Sequence, residues 1–148
     1  MDIMQKFMAY AGDFEQTYAD DDWSRLTKHF AEGAVYEVKA QGFGCRLMGP
    51  AAILAGIRKS VDNFDRRFES REIKVLGAPE VSEDTVRLKW NVLYDKEGCP
   101  QFVLRGQSEV SFDGGVIAYL CDSYDPQVGA ELAEWCQRTG VKVDPSYV

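Results

Sequence analysis

The chain predicts an α+β fold: a curved antiparallel sheet wrapped around N-terminal helices, with a short C-terminal helix. Three features predict it. Between Asp84 and Asp125 lie three runs rich in β-branched and aromatic residues, TVRLKWNVLY, FVLRGQSEVSF and VIAYLCDSYD, joined by DKEG and DGG turn signals. Before them, apolar residues recur at helical spacing; after them, Pro126 opens a last helical pattern. Helix, helix, strand, helix and then four antiparallel strands is the order of an α+β domain. A strongly curved sheet of this kind encloses a cone whose mouth can hold a small ligand.

Composition narrows the function. The 148 residues suit one domain, 1–148, and 45% hydrophobic with 12% aromatic content is that of a folded core. A net charge of −7, with no basic cluster beyond short runs such as Arg66-Arg67, argues against nucleic acid as a partner. Cys45, Cys99, Cys121 and Cys136 form no C-x-x-C pair, so zinc and thioredoxin-type chemistry lack support and reduced thiols in the cytoplasm are expected. The start, MDIMQKFMAYAGDFEQ, carries acids early and no long apolar run, and no segment has the length of a bilayer span. Neither a metal nor an organic cofactor is expected.

Ile3, Phe7, Ala11, Phe14 and Tyr18 give the first eighteen or so residues one apolar stripe. Asp20, Asp21 and Asp22 then suit the positive end of a second helix on which Trp23, Leu26 and Phe30 share a face; capping is a commoner role for such a run than metal binding. Gly33 is expected to end that helix and Ala34–Val38 to form a strand. Gln41–Cys45 is glycine-rich but lacks a phosphate-loop pattern and reads as a bent connection. Gly49-Pro50 opens a third helix with Ile53, Ile57, Val61 and Phe64 on one side. A strand is expected over 68–77, broken by Ala78-Pro79-Glu80. Val128, Leu132 and Trp135 align in the last helix, Gly140 stops it, and Val141–Val148 reads as a tail.

This order, with the segments DDDWSRLTKHFAEGAVYEV, GPAAILAGI and VSFDGGVIAYLCDSYD, resembles the nuclear transport factor 2-like superfamily over roughly residues 5–125. That group includes SnoaL-like polyketide cyclases, ketosteroid isomerases and limonene-epoxide hydrolases. The resemblance implies a pocket between the helices and the inner sheet face, and a homodimer through the outer face. Ketosteroid isomerase chemistry does not carry over: alignment puts Phe14, Val38 and Ser108 where a tyrosine, a carboxylate base and a protonated acid are needed. For the epoxide hydrolases, Tyr36 and Asp122 match, Val38 replaces an asparagine, and Lys89-x-Asn91 replaces an Arg-x-Asp pair. One carboxylate in place of two suits proton abstraction, as in SnoaL-like cyclisation, better than epoxide opening.

The resemblance therefore implies a cofactor-independent isomerase, cyclase or hydratase. Asp122 would be the base, Lys89 and Asn91 would orient it or hold a substrate oxygen, and Tyr36 would donate a hydrogen bond. Phe14, Tyr18, Trp23, Phe64 and Phe102, core residues by default, could line a pocket for an apolar or ring-containing molecule. Two alternatives stay open. Strand period puts Lys89 and Asn91 on one face and Leu88, Trp90, Val92 and Tyr94 on the other, and on a single half-buried sheet the apolar set is the core face. Only a dimer burying that apolar set would turn Lys89 and Asn91 inward. The second alternative is a non-catalytic binding or dimerisation module, in which Lys89, Asn91 and Asp122 do not converge on one cavity. His29, the single histidine, is expected at the rim or surface.

Overall fold

A computed structural model describes residues 2–148. Helix α1 (Ile3–Asp20) begins at a capping box in which Asp2 accepts from the Gln5 backbone and Gln5 accepts from Asp2, and it ends where Asp21 turns left-handed. Trp23–His29 is a 3-10 helix rather than a longer α-helix. Asp22 makes no side-chain cap; the three carboxylates instead take Arg25, the Trp23 indole and the Ser24 hydroxyl. Phe30 already belongs to β1 (Phe30–Lys39), so Gly33 lies inside a strand, not at a helix end.

The bent connection at 41–44 leads into a short strand, β2 (Cys45–Met48), which folds back on β1. Helix α2 (Pro50–Asn63) starts with proline in its first turn and buries Ile53, Ile57 and Val61. Strand β3 (Ser70–Ser82) runs on past the expected break. Pro79 is tolerated because β3 is the sheet's edge and its pairing with β4 (Thr85–Asp95) shifts register between Leu76 and Glu80. Strands β5 (Phe102–Asp113) and β6 (Val116–Tyr124) complete a six-stranded sheet in the order β2-β1-β6-β5-β4-β3. All neighbours are antiparallel except β1 and β6, which run parallel because β6 returns to the side of β1 only after the rest of the sheet is laid down. Helix α3 (Val128–Thr139) ends at a left-handed Gly140.

Two apolar clusters fill the concave side. The larger joins α1 and α2 to β1, β5 and β6 through Tyr10, Leu26, Tyr36, Ile53 and Val110. The smaller closes one end: Phe64, Phe68, Tyr94 and Phe102 pack against Leu132 and Trp135 of α3. The final segment is more than a tail. Tyr147 is buried against Tyr36, with ring centroids 5.7 Å apart, and its hydroxyl lies 3.1 Å from that of Tyr124. Its backbone passes so close to α2 that a Cβ on Gly56 would sit 3.0 Å from the Tyr147 carbonyl oxygen and closer still to Leu47. Among the described residues, no helix is long and apolar enough to cross a membrane.

Candidate functional site

Alternation along the strands decides what faces the hollow between sheet and helices. On β4 the inward set is Leu88, Trp90 and Val92, and Lys89 lies on the opposite face. Trp90 can lie flat across β5 because its partner there is Gly106: a Cβ at that position would fall 2.6 Å from Trp90 Cη2. Two residues along β5 on the same face, Ser108 stands beside Asp122 of β6, its register partner. The parallel pairing of β1 and β6 sets Val38 beside Asp122 and Tyr36 one inward position away.

These registers assemble a connected polar group. The Trp90 indole N–H donates to Ser108 Oγ at 2.9 Å, and Ser108 Oγ donates to Asp122 Oδ1 at 2.6 Å. Tyr36 Oη donates to Asp122 Oδ2 at 2.7 Å. The carboxyl is enclosed by protein on the lining of the hollow. Burial pushes its pKa up, opposed by the hydrogen bonds from Ser108 and Tyr36, which favour the ionised form. Burial and then the nearby Asp122 charge push the Tyr36 hydroxyl well above its ordinary value. Among the described residues, no lysine, arginine or histidine forms an ion pair with Asp122.

The hollow has a volume of about 370 Å³ and is mostly apolar; Phe7, Phe14, Val61, Leu88 and Leu120 line it beside the Asp122 group. A second polar group lies on its wall. Arg71 Nε donates to Asp65 Oδ2 at 3.1 Å, Tyr94 Oη donates to the same oxygen at 2.8 Å, and Arg71 Nη1 reaches Glu15 Oε2 at 3.0 Å. The guanidinium also stands 4.6 Å from the centroid of the Tyr18 ring. Burial pulls Arg71 down, but Glu15 and Asp65 outweigh it and hold it charged; burial raises Asp65 against the pull of Arg71. The mouth lies toward the β3 edge, where Met8, Ile73 and Val75 are exposed.

The expected constellation is thus brought together only in part. Tyr36 and Asp122 meet. Lys89 and Asn91 do not join them: Lys89 lines a polar groove on the outer face with Lys39, Arg87 and Glu109, and Asn91 shares its side of β4. The apolar set of β4 finds its cover inside the protein, under α1 and, for Val92 and Tyr94, under Phe64, Phe68 and α3, so no dimer is needed to bury it and nothing turns the lysine inward. Of the five aromatic residues expected at a pocket, only Phe14 lines the hollow. Tyr18 stacks under Arg71, Trp23 is buried against Phe14, and Phe64 and Phe102 belong to the end cluster. His29 is half-buried at the end of the 3-10 helix, its Nε2 2.7 Å from Asp13. Trp90 and Ser108 join the site without having been assigned a role in it, and Tyr124 and Tyr147 enter unforeseen. Trp90 was legible in the alternation of β4; Tyr147, the one aromatic residue of a short segment without strand or helix period, carried no signal. Among the described residues, no three His, Cys, Asp or Glu side chains gather as a metal site.

No family model and no curated protein sequence matches the chain. Solved structures do. A putative isomerase from Bacillus subtilis aligns with a TM-score of 0.66 at 18% identity, over 97% of this chain and 100% of that one. An NTF2-like protein of unknown function from Burkholderia pseudomallei aligns at 0.63 and 13%, over 88% and 96%. A hypothetical protein with a ketosteroid isomerase-like fold from Catenulispora acidiphila, solved in complex with trimethylamine, aligns at 0.59 and 16%, over 90% and 93%. At these identities the likeness is one of architecture, and the architecture is that of the nuclear transport factor 2-like proteins.

Proposed function

We propose that this protein binds a small apolar or ring-containing molecule in the hollow and moves a proton on it, as a cofactor-independent isomerase or cyclase, with Asp122 as the base. The observation that carries the reading is a carboxylate with no cation beside it, held by two hydroxyl donors, on the wall of a mostly apolar cavity large enough for a ligand; the other carboxylates on that wall, Glu15 and Asp65, are paired with Arg71. Asp122 would take a proton from a ligand carbon and return it to another, leaving the protein unchanged. Tyr36 and Ser108 would hold the carboxylate in place and keep part of its charge while the ligand excludes water. A small amine is held by the Catenulispora protein of the same fold, which supports a small-molecule role here.

A second reading, ligand binding without turnover, draws on the separation of Lys89 and Asn91 from Asp122, which removes the expected helpers from the base. A homodimer through the outer face, as the resemblance implies, is compatible with either reading; Arg87 and Glu109 on that face pair with each other within the chain.

A thermal-shift screen of ring-containing compounds, followed by turnover assays on the hits, tests the proposal. Ligands should stabilise the wild type and Lys89→Ala alike, and Asp122→Asn should lower turnover by about 10²–10⁴-fold. Undiminished turnover in Asp122→Asn would overturn Asp122 as the base, and hits that bind but are not turned over would leave only the binding reading. Absence of any stabilising ligand would remove both.

A further inference from the structure

The lining of the hollow specifies the charge of its ligand. The donor protons of the group bonded to Asp122 are already spent, that of Trp90 on Ser108 and those of Ser108 and Tyr36 on the carboxylate, while the Tyr10 hydroxyl on the same lining keeps its proton. One hydroxyl of the Tyr124–Tyr147 pair is likewise committed to the other. An ionised carboxylate offers about four lone-pair positions, and two are used here. What this pole presents to a ligand is therefore acceptor capacity. A ligand carbonyl or carboxylate finds few free donors; a ligand N–H or a positive charge finds an open acceptor.

The charge balance has the same sign. Arg71 on the cavity wall is matched by two carboxylates, Asp65 and Glu15, and has no charge to spare for an anion. With Asp122 ionised, four charged side chains on the lining contribute three negative charges and one positive. The walls beside Asp122 are aromatic: Tyr10, Tyr36, Trp90, Tyr124 and Tyr147 all line the same hollow. Aromatic faces attract a cation and gain strength when water is excluded.

We infer that the hollow takes an organic cation, an amine or quaternary ammonium on an apolar body, with its charge against Asp122 and the aromatic rings and its body extending toward Ile73 and Val75 at the mouth. The inference rests on the small-molecule reading above and names its substrate class. It also bears on the base: a bound positive charge favours the ionised carboxylate that burial alone disfavours.

Phenyltrimethylammonium and its uncharged isostere tert-butylbenzene make the test, with binding followed by calorimetry and by quenching of tryptophan fluorescence. The wild type should bind the cation about tenfold more tightly than the isostere. Asp122→Asn should abolish that preference while keeping its affinity for tert-butylbenzene. The wild type alone supplies a second arm. Affinity for the cation should rise with pH as Asp122 ionises, and affinity for the isostere should not. The groups facing that carboxyl are Tyr10 from α1, Tyr36 from β1, Cys45 from β2, Ser108 from β5, Tyr124 from β6 and Tyr147 from the final segment, with Glu15, Asp65 and Arg71 further along the cavity. Tert-butylbenzene binding as well as the cation overturns the inference and leaves the small-molecule reading standing. Binding of neither overturns both.

Discussion

Trp90 lies across Gly106 on the neighbouring strand, and its indole N–H ends on Ser108, the residue that holds Asp122. The missing side chain at Gly106 is what lets the ring lie flat on the sheet and form one wall of the cavity. Gly106→Ala would place a methyl 2.6 Å from the ring and 2.7 Å from the Ser123 carbonyl oxygen. Neither neighbour can yield without disturbing the sheet. A loss of about 1–3 kcal/mol in urea unfolding is expected, along with a shift in tryptophan emission as the ring is displaced. Unchanged stability would mean that the two strands separate more easily than this packing implies.

Asp122 should make stability depend on pH in the direction opposite to that of a salt-bridged acid. Its folded pKa is raised above the ordinary 3.8 by burial, so the folded state holds the proton more tightly than the unfolded chain. Below the unfolded value the group costs nothing. As pH rises from the unfolded value toward the folded one, the unfolded chain gives up its proton first and stability falls, levelling off above the folded value with the carboxylate ionised in place. The stability of wild type relative to Asp122→Asn should therefore decline from acid toward neutral pH. A flat difference between the two denaturation profiles would contradict the assignment. The exposed carboxylates with lowered values, Asp20 beside Arg25 and Glu131 beside Arg105, act in the opposite direction in both proteins and cancel in the comparison.

Arg71 ties the two ends of the α1–β3 gap together, reaching Glu15 on α1 and Asp65 after α2. Arg71→Met keeps much of the apolar stem over Tyr18 but leaves Asp65 enclosed with only Tyr94 as partner. Breaking a buried pair from one side costs about 3–5 kcal/mol; Arg71 retains some exposure, so the lower end of that range is expected. Adding Asp65→Asn to Arg71→Met should recover a large part of the loss, because the stranded charge is then gone. No recovery in the double variant would show that packing, not charge, sets the cost.

Tyr147 is the wall contributed by the final segment. Tyr147→Ala removes a ring buried against Tyr36 and leaves the Tyr124 hydroxyl without its neighbour. A cost of about 3–5 kcal/mol is expected from the lost ring. Tyr147→Phe, which keeps the ring and loses one hydrogen bond, should cost about 1 kcal/mol. Equal stability for the two variants would mean that the segment does not stay docked in solution.

Patterns of short period made the architecture legible. The spacing of Ile53, Ile57 and Val61, the proline at 50, the glycine at 140 and the turn signals between β4, β5 and β6 each act over a few residues, and each element formed where those local preferences agreed. Edges were harder, because tolerance of Pro79 depends on β3 having no strand beyond it, a fact about the assembled sheet. The site divided along the same line. The apolar run VIAYLCDSYD was compatible with an enclosed Asp122 and equally with one exposed at the strand end. Which side chains would meet it depended on strand order, on the parallel pairing of β1 with β6, and on helices covering the apolar face of β4. The pleat alone puts Lys89 and Trp90 on opposite faces; only the packing of the helices against that sheet decides which of the two looks inward, because whichever face is covered must be the one that carries the apolar side chains.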